Sequence, residues 1–498
     1  MDSLEIARIL QGYNPWWSGR PMGAVSDIYR RDYYHLRSLV ESPDYRAIVI
    51  SGPRQVGKTT LVQQLVRWTL SRQNEREETL YEPKRILYAT PELIASDESK
   101  SRVNPLSALL FAYEDLILEE KLTALSEKTI LFIDEIQTVK NWAAIVKPYL
   151  DASPKLLKLV ITGSSRLSLM EDSSEKLPGR HLPYILLPLK FIDRLRFKHE
   201  NFDELRELSG PEGFRKTLID GITSGNMDSV YKHAARISLH LENKGMLKEV
   251  QSELSKHLIC GGYPEIVLNE DALFQYRRFR TYVSDIVSKD LEHSRRPDIA
   301  QRLLINLAKS NAQQLTESEL RANTYGEGQG SPTTIQKYLE NLEQLAIVRR
   351  IYRNKSNKNP GQRKPKVYFC DSGLRNSMLG YLNGEVSEEE MGQLGETVAL
   401  DHLLRFLFKL RGHIGNVYFD RPDDQGKEVD FVVRGQRDNL ILGIEVKYKN
   451  SHQEDIAGLR ELKNRNPRMF SLVLTKNLLK VEDNSILYLP LWLFLASA

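Results

Sequence analysis

"RAIVISGPRQVGKTTLVQQLVRW", residues 46–68, decides how the first part of the chain is read. A short apolar run comes first. A glycine-bounded loop follows, and then apolar residues at helical spacing, so the stretch reads strand, loop, helix. The loop "GPRQVGKT" has the spacing G-x-x-x-x-G-K-[ST] at Gly52, Gly57, Lys58 and Thr59. Glycines there let backbone N–H groups converge on phosphate oxygens, and the helix N-terminus adds partial positive charge. Lys58 supplies a full charge to the outer phosphates. The Thr59 hydroxyl is placed to ligate Mg²⁺. The expected cofactor is ATP with Mg²⁺, contacted by Gly52, Pro53, Arg54, Gln55, Val56, Gly57, Lys58, Thr59 and Thr60.

Working outward, "TILFIDEIQ" (129–137) is a buried strand ending in acids, about 75 residues after the loop. Asp134 is expected to hold Mg²⁺ through water, and Glu135 to orient and deprotonate the attacking water. The strand "LLKLVITGSS" (156–165) ends in polar residues, of which Thr162 or Ser164 is expected to touch the γ-phosphate or the water, the alternative being a simple strand-end turn. "LPGR" puts Arg180 where an arginine finger would reach a neighbouring subunit, which implies a closed homo-oligomer or ring. "ILYAT" (86–90) adds another strand. Strands alternating with helices predict a parallel sheet flanked by helices over 46–195. Residues 1–45, with Trp16 and Trp17 in "NPWWSGRP", read as a lead-in strapped onto that domain.

The totals fit an ordinary globular chain: 498 residues, 41% hydrophobic, 27% charged, net charge +4. Cys260 and Cys370 have no metal-ligand spacing, which suits a reduced, cytoplasmic protein. The start carries acids and no apolar core, unlike a secretory signal. The run "ILYLPLWLFLASA" is shorter than the roughly 18 residues that span a bilayer, and Pro490 interrupts it. It is expected to pack on the last domain, and no membrane partner is expected.

Residues 196–310 are helical and mixed in charge, and read as a lid or connecting subdomain. In 311–375 an amphipathic helix (Ile335, Tyr338, Leu339, Leu342, Leu345) leads into a strand, a basic loop and the strand "KVYFC", the outline of a winged helix. The stretch 349–366 holds eight Lys or Arg and no acid: Arg349, Arg350, Arg353, Lys355, Lys358, Arg363, Lys364 and Lys366. On a loop tip such charge suits the phosphate backbone of DNA. The alternative is a solvated loop, or one facing an acidic subunit surface.

Residues 376–498 carry a second carboxylate set. Glu396 lies on a helix, Asp430 enters the strand "DFVV", and Glu445 and Lys447 sit two apart on one face of the next strand. Such acids hold Mg²⁺ or Mn²⁺, and Lys447 is placed to steady a phosphodiester under attack. The other reading is a metal-free β-core whose acids cap strands or pair with Lys449 and Arg434.

The ordered motifs "GPRQVGKTTL", "LFIDEIQTVKNWAAIVK", "ITGSSRL", "LPGR", "LPLKF" and "GGYPEIV" resemble a family of archaeal and bacterial AAA-type ATPases with a C-terminal domain of unknown function. The resemblance runs from about residue 20 to the end. It implies that "GGYP" lies in the helical lid, with Pro264 against the nucleotide base. Glu396, Asp430 and Glu445-x-Lys447 resemble the PD-(D/E)xK nuclease fold of restriction enzymes and Holliday-junction resolvases, with Val429 in place of the Pro that gives the motif its name.

The expected fold is therefore α/β: a P-loop AAA-type core, a helical lid, a winged helix and a nuclease-like C-terminal domain. The expected function is an ATP-hydrolysing ATPase that binds and remodels DNA, with cleavage left open. Two alternatives stand beside it: a nucleotide-state switch with a silent nuclease-like domain, and a defence or toxin–antitoxin ATPase.

Overall fold

The computed structural model describes residues 1–43, 47–72, 80–94, 104–153, 155–164, 177–199, 208, 212–290, 296–326, 332–354, 364–381, 386–411, 417–421, 427–435, 440–448 and 455–498. The chain forms two compact units, Met1–Leu187 and Pro188–Ala498.

The first unit is built on five strands: β1 (Ala47–Ser51), β2 (Ile86–Ala89), β3 (Thr129–Ile133), β4 (Leu157–Gly163) and β5 (His181–Ile185). All neighbours are parallel, in the order β2-β3-β4-β1-β5. Strands β1 to β3 are buried on both faces, which their unbroken apolar runs require in a parallel sheet with helices on each side. One apolar core joins these strands to the helices Ser3–Tyr13, Pro105–Tyr113 and Trp142–Ala152.

The lead-in belongs to this unit and guards its edge. Strand β2 lies at the end of the sheet. The Asn14 side chain accepts from Tyr88 N (2.7 Å) and donates to Tyr88 O (2.9 Å), so one amide pairs with the strand as a neighbouring backbone would. Trp16 and Trp17 both donate Nε1 to Ile86 O at 3.0 Å. Covering an edge in this way removes a template for unwanted strand pairing.

The second unit spans Pro188–Ala498. Its largest apolar cluster includes Phe191 to Leu258 on helices, Ile351 and Tyr368 on a hairpin, and the C-terminal sheet. The hairpin is β6 (Val348–Ile351) and β7 (Lys366–Phe369), with Gln314 bridging to Lys366 as a third edge. The helices Pro297–Lys309, Glu317–Tyr325 and Pro332–Gln344 precede it. The C-terminal sheet has six strands: β8 (Val417–Asp420), β9 (Val429–Arg434), β10 (Leu440–Lys447), β11 (Phe470–Thr475), β12 (Lys480–Glu482) and β13 (Ile486–Pro490). Strands β8, β9 and β10 are antiparallel neighbours, while β10, β11 and β13 run parallel. The apolar tail forms the buried helix Leu491–Ser497, and Ala498 O accepts from Lys190 Nζ at 3.1 Å. Among the described residues no helix is long and apolar enough to cross a membrane.

One buried ion pair ties this unit's helices. Arg194 Nε lies 2.7 Å from Glu253 Oε2, with both side chains almost fully enclosed. Burial opposes ionisation of Glu253, but Arg194 and Lys256 hold its carboxyl below the usual range. Replacing Arg194 by Met removes the closer cation from a buried carboxylate. The urea midpoint should fall by the equivalent of about 3 kcal/mol. A loss under about 1 kcal/mol would mean that Lys256 alone compensates Glu253.

Candidate functional site

Because β3, β4 and β1 are adjacent and parallel, their carboxyl ends open on one edge of the sheet. Ligands of open α/β sheets bind at such edges. The loop after β1, the acids after β3 and the polar residues ending β4 are brought together there.

The loop has little freedom. A Cβ on Gly52 would stand 2.0 Å from Leu186 O, so only glycine fits. Gly57 adopts φ 91°, a left-handed conformation, and caps the helix Lys58–Leu70. Lys58 is buried, and its Nζ donates to Gly52 O (3.0 Å) and Pro53 O (2.8 Å). Its ammonium is thus folded onto the loop that phosphates would fill. Within the loop Pro53 and Val56 are buried and Arg54, Gln55 and Thr59 half-buried, whereas Thr60 is exposed. Arg30, which the sequence reading missed, braces the loop from behind. It donates to Val56 O (3.0 Å) and Leu187 O (2.8 Å) and pairs with Asp32 at 2.8 Å. An isolated arginine in the lead-in carried no signal of this.

Asp134 is buried. It accepts from Tyr88 Oη at 3.2 Å and from Thr162 Oγ1. Burial and the Asp134 charge push the Tyr88 phenol up, so it stays a neutral donor. Thr162 is therefore committed to Asp134. Ser164 Oγ, by contrast, is buried with no partner among the described residues. Glu135 holds a left-handed backbone (φ 53°), and its N–H donates to Asp134 Oδ1 (3.2 Å) and Thr162 Oγ1 (3.3 Å). Gln137 bridges the cluster: its Nε2 donates to the Glu135 carboxylate, and its Oε1 accepts from Ser164 N at 3.2 Å. Asp134 and Thr59 suit Mg²⁺, whose remaining ligands would be phosphate oxygens and water.

Arg180 pairs with Asp151 of its own chain and donates to Pro178 O at 3.2 Å. Pro264 opens the short helix Pro264–Leu268 in the second unit. The preceding Gly261 has φ +71°, and a Cβ there would stand 2.2 Å from Asp371 Oδ1. That carboxyl, pushed up to about 6 by burial, accepts from Gly262 N at 2.7 Å.

The C-terminal acids also meet. Asp430 Oδ2 accepts from Val446 N at 2.8 Å, next to Glu445 on β10. Glu445 is buried; Lys447 Nζ reaches its Oε1 at 2.6 Å, and its Oε2 has no partner among the described residues. Glu396, on the helix Glu388–Arg411, accepts from Tyr368 Oη and from Lys366 Nζ (3.1 Å). Burial, with Asp430 nearby, pushes the Glu396 carboxyl up to about 7. Burial raises Asp430 as well, and burial with Asp430 raises Glu445 well above its usual range.

Glu396 and Glu445, expected with Asp430 as metal ligands, are each paired with a lysine of the chain itself. Among the described residues no three acids are grouped to hold a metal. The ammonium of Lys366 lies among them instead, paired with Glu396 and with Glu428, an acid the sequence reading passed over. Arg434 does not pair with the acids as the metal-free alternative supposed; its Nε donates to Asn354 Oδ1 at 2.7 Å. Lys449 lies outside the described residues.

The basic stretch is corrected as well. Lys366 is buried, not a surface cation. Arg350 is a buried fork on Glu343, with Nε 2.9 Å from Oε2. Arg349 is mostly enclosed, 4.0 Å from Asp401, and Arg353 donates to Arg421 O. These residues lie on or beside strands β6 and β7, whose side chains pack into the unit. Lys364 is exposed, 4.0 Å from Glu319. Lys355, Lys358 and Arg363 lie outside the described residues.

With the geometry in place, comparison with known families is decisive for the first unit. Residues 44–195 match the model of an AAA domain. The first unit carries a P-loop AAA-type ATPase domain. Residues 251–384 and 391–494 each match a domain of unknown function (DUF8612 and DUF4143). An uncharacterized protein of Methanocaldococcus jannaschii is 24% identical over 91% of this chain and 85% of its own. One from Haemophilus influenzae is 26% identical over 86% of this chain and 89% of its own. Among solved structures, the Walker-type ATPase of Pyrococcus abyssi is 14% identical, with a TM-score of 0.42 over 73% of this chain and 99% of that chain.

Proposed function

We propose that the chain is an ATP-hydrolysing AAA-type ATPase that binds and remodels DNA and works as a homo-oligomer. The observation that carries hydrolysis is the convergence of Lys58, Asp134, Glu135 and Ser164, whose hydroxyl has no partner among the described residues, at one sheet edge. Lys58 takes the outer phosphates, and Thr59 and Asp134 would hold Mg²⁺, which neutralises charge as the phosphoryl group transfers. Glu135 takes a proton from the attacking water, and Ser164 donates to the γ-phosphate. Arg180 exchanges Asp151 for a neighbour's nucleotide.

The DNA reading rests on the second unit. A helix, the Gln314 bridge, two further helices and a hairpin follow one another as in a winged helix. Exposed Lys364, with Lys355, Lys358 and Arg363 close by in sequence, would meet phosphates. Lys364→Ala should therefore reduce the slope of log affinity against log salt by about 1. An unchanged slope in duplex titrations would remove the hairpin from the interface. The helix–β8–β9–β10–helix–β11 order supports a PD-(D/E)xK-like fold for the last domain.

A second reading, the nucleotide-state switch with a silent nuclease-like domain, is favoured by the Lys366 ion pairs among the acids. Steady-state ATP turnover with and without single-stranded, duplex and branched DNA separates the two. The remodelling reading expects stimulation by at least one of these. Turnover indifferent to all of them would overturn it in favour of the switch.

A further inference from the structure

We infer that Lys366 is the resident cation of the C-terminal carboxylate site, a tethered ammonium that takes the place of a divalent metal and excludes it. The inference rests on the nuclease-like reading of that domain only for what kind of ion is excluded.

Four carboxylates belong to this site: Glu396 from the helix and Glu428 just before β9, both paired with Lys366, Asp430 on β9, and Glu445 on β10. Buried acids of one sign need compensation, and it comes from within the chain. Lys366 Nζ is 3.1 Å from Glu396 and pairs with Glu428. Lys447 Nζ is 2.6 Å from Glu445, and Arg421 Nη2 is 2.9 Å from Glu428. Three cations thus face four acids before any ion arrives.

Lys366 is no chance visitor to the site. Strand pairing with Ile351 and the bridge to Gln314 place its backbone. Tyr368, two residues on and so on the same face of β7, donates to Glu396 as well. The lysine side chain is 5% exposed, and its ammonium lies 5.7 Å from the centre of the Phe419 ring. A divalent ion among the same acids would meet this fixed positive charge at close range, with little water to screen it. Metal can enter only when β7 withdraws or Lys366 is replaced. A residue 30 to 79 positions from the acids in sequence, on β7, then sets whether the site is armed.

The test is a titration of the nucleotide-free full-length protein with Mn²⁺ alone, read by electron paramagnetic resonance. Wild type should show no Mn²⁺ binding that depends on Asp430. Lys366→Met should gain one site, about a hundredfold or more tighter than any in wild type. Adding Asp430→Asn should abolish that site. Lys366→Gln, which keeps a hydrogen-bonding side chain, should behave like Lys366→Met and serves if the Met variant does not fold. Stoichiometric Mn²⁺ binding by wild type that Asp430→Asn removes would overturn the inference. So would a folded Lys366→Met or Lys366→Gln protein that binds no more Mn²⁺ than wild type. DNA cleavage is scored separately on the same variants. A Lys366→Met protein that gains Mn²⁺ but cuts no DNA upholds the lysine's role and overturns cleavage by this domain.

Discussion

Lys58→Ala should abolish ATP turnover. The side chain is buried, with its ammonium on the carbonyls of Gly52 and Pro53. It is therefore already desolvated where the phosphates would arrive, and moves only from carbonyl oxygens to phosphate oxygens. Alanine leaves the backbone cradle but removes the Lys58 ammonium. Loss of a single preorganised donor at an enzyme's charge-bearing site costs about 10²–10³ in rate. A loss at or beyond the upper end is expected in kcat/KM for ATP, since ground-state binding falls too. The same change leaves two loop carbonyls without this donor, which costs stability by about 1–2 kcal/mol. Thermal unfolding without nucleotide should show that small drop, and ATP should no longer raise the midpoint. A variant that hydrolyses ATP as fast as wild type would show that the loop is not the phosphate site.

Glu135→Gln should separate binding from chemistry. The backbone of residue 135 is fixed by its N–H bonds to Asp134 and Thr162, and its side chain by Gln137. Glutamine is nearly the same shape and can still accept from Gln137, so the fold and the phosphate loop are untouched. It cannot take a proton from water. Removing a general base costs about 10²–10⁴ in rate. Single-turnover hydrolysis should slow by that factor while ATP affinity stays within a few-fold of wild type. Hydrolysis within threefold of wild type would move the base elsewhere, and Gln137 would then be the next group to examine.

The two sites differ in how far local sequence could reveal them. The phosphate loop is a local object. Gly57 answers to backbone geometry within the eight-residue loop, as its left-handed φ shows, whereas the 2.0 Å approach of Leu186 O to a Cβ at Gly52 comes from far along the chain. The acids after β3 are legible for the same reason, since an apolar strand in a parallel sheet must end at the ligand edge. The structure adds that the Thr162 hydroxyl turns to Asp134, a contact no local pattern shows. In 349–366, by contrast, charge density was read as an outward-facing surface. Composition counts charges without giving their direction. The short strands at either end of that stretch carry Arg349, Arg350 and Lys366 into ion pairs, and leave Lys364 as its exposed cation among the described residues.

By itself, then, the sequence determined the parallel-sheet nucleotide domain, its phosphate loop and its acids, and it placed Asp430, Glu445 and Lys447 on adjoining strands. Those features depend on strand and helix periods and on turns a few residues long. Only the tertiary structure decided that the lead-in guards β2, that residues 188–498 share one compact unit, and that Lys366 sits among the carboxylates. Each of these joins residues from 30 to more than 70 positions apart. Such pairings arise from burying apolar faces against one another, and no local pattern encodes which distant charge is buried along with them.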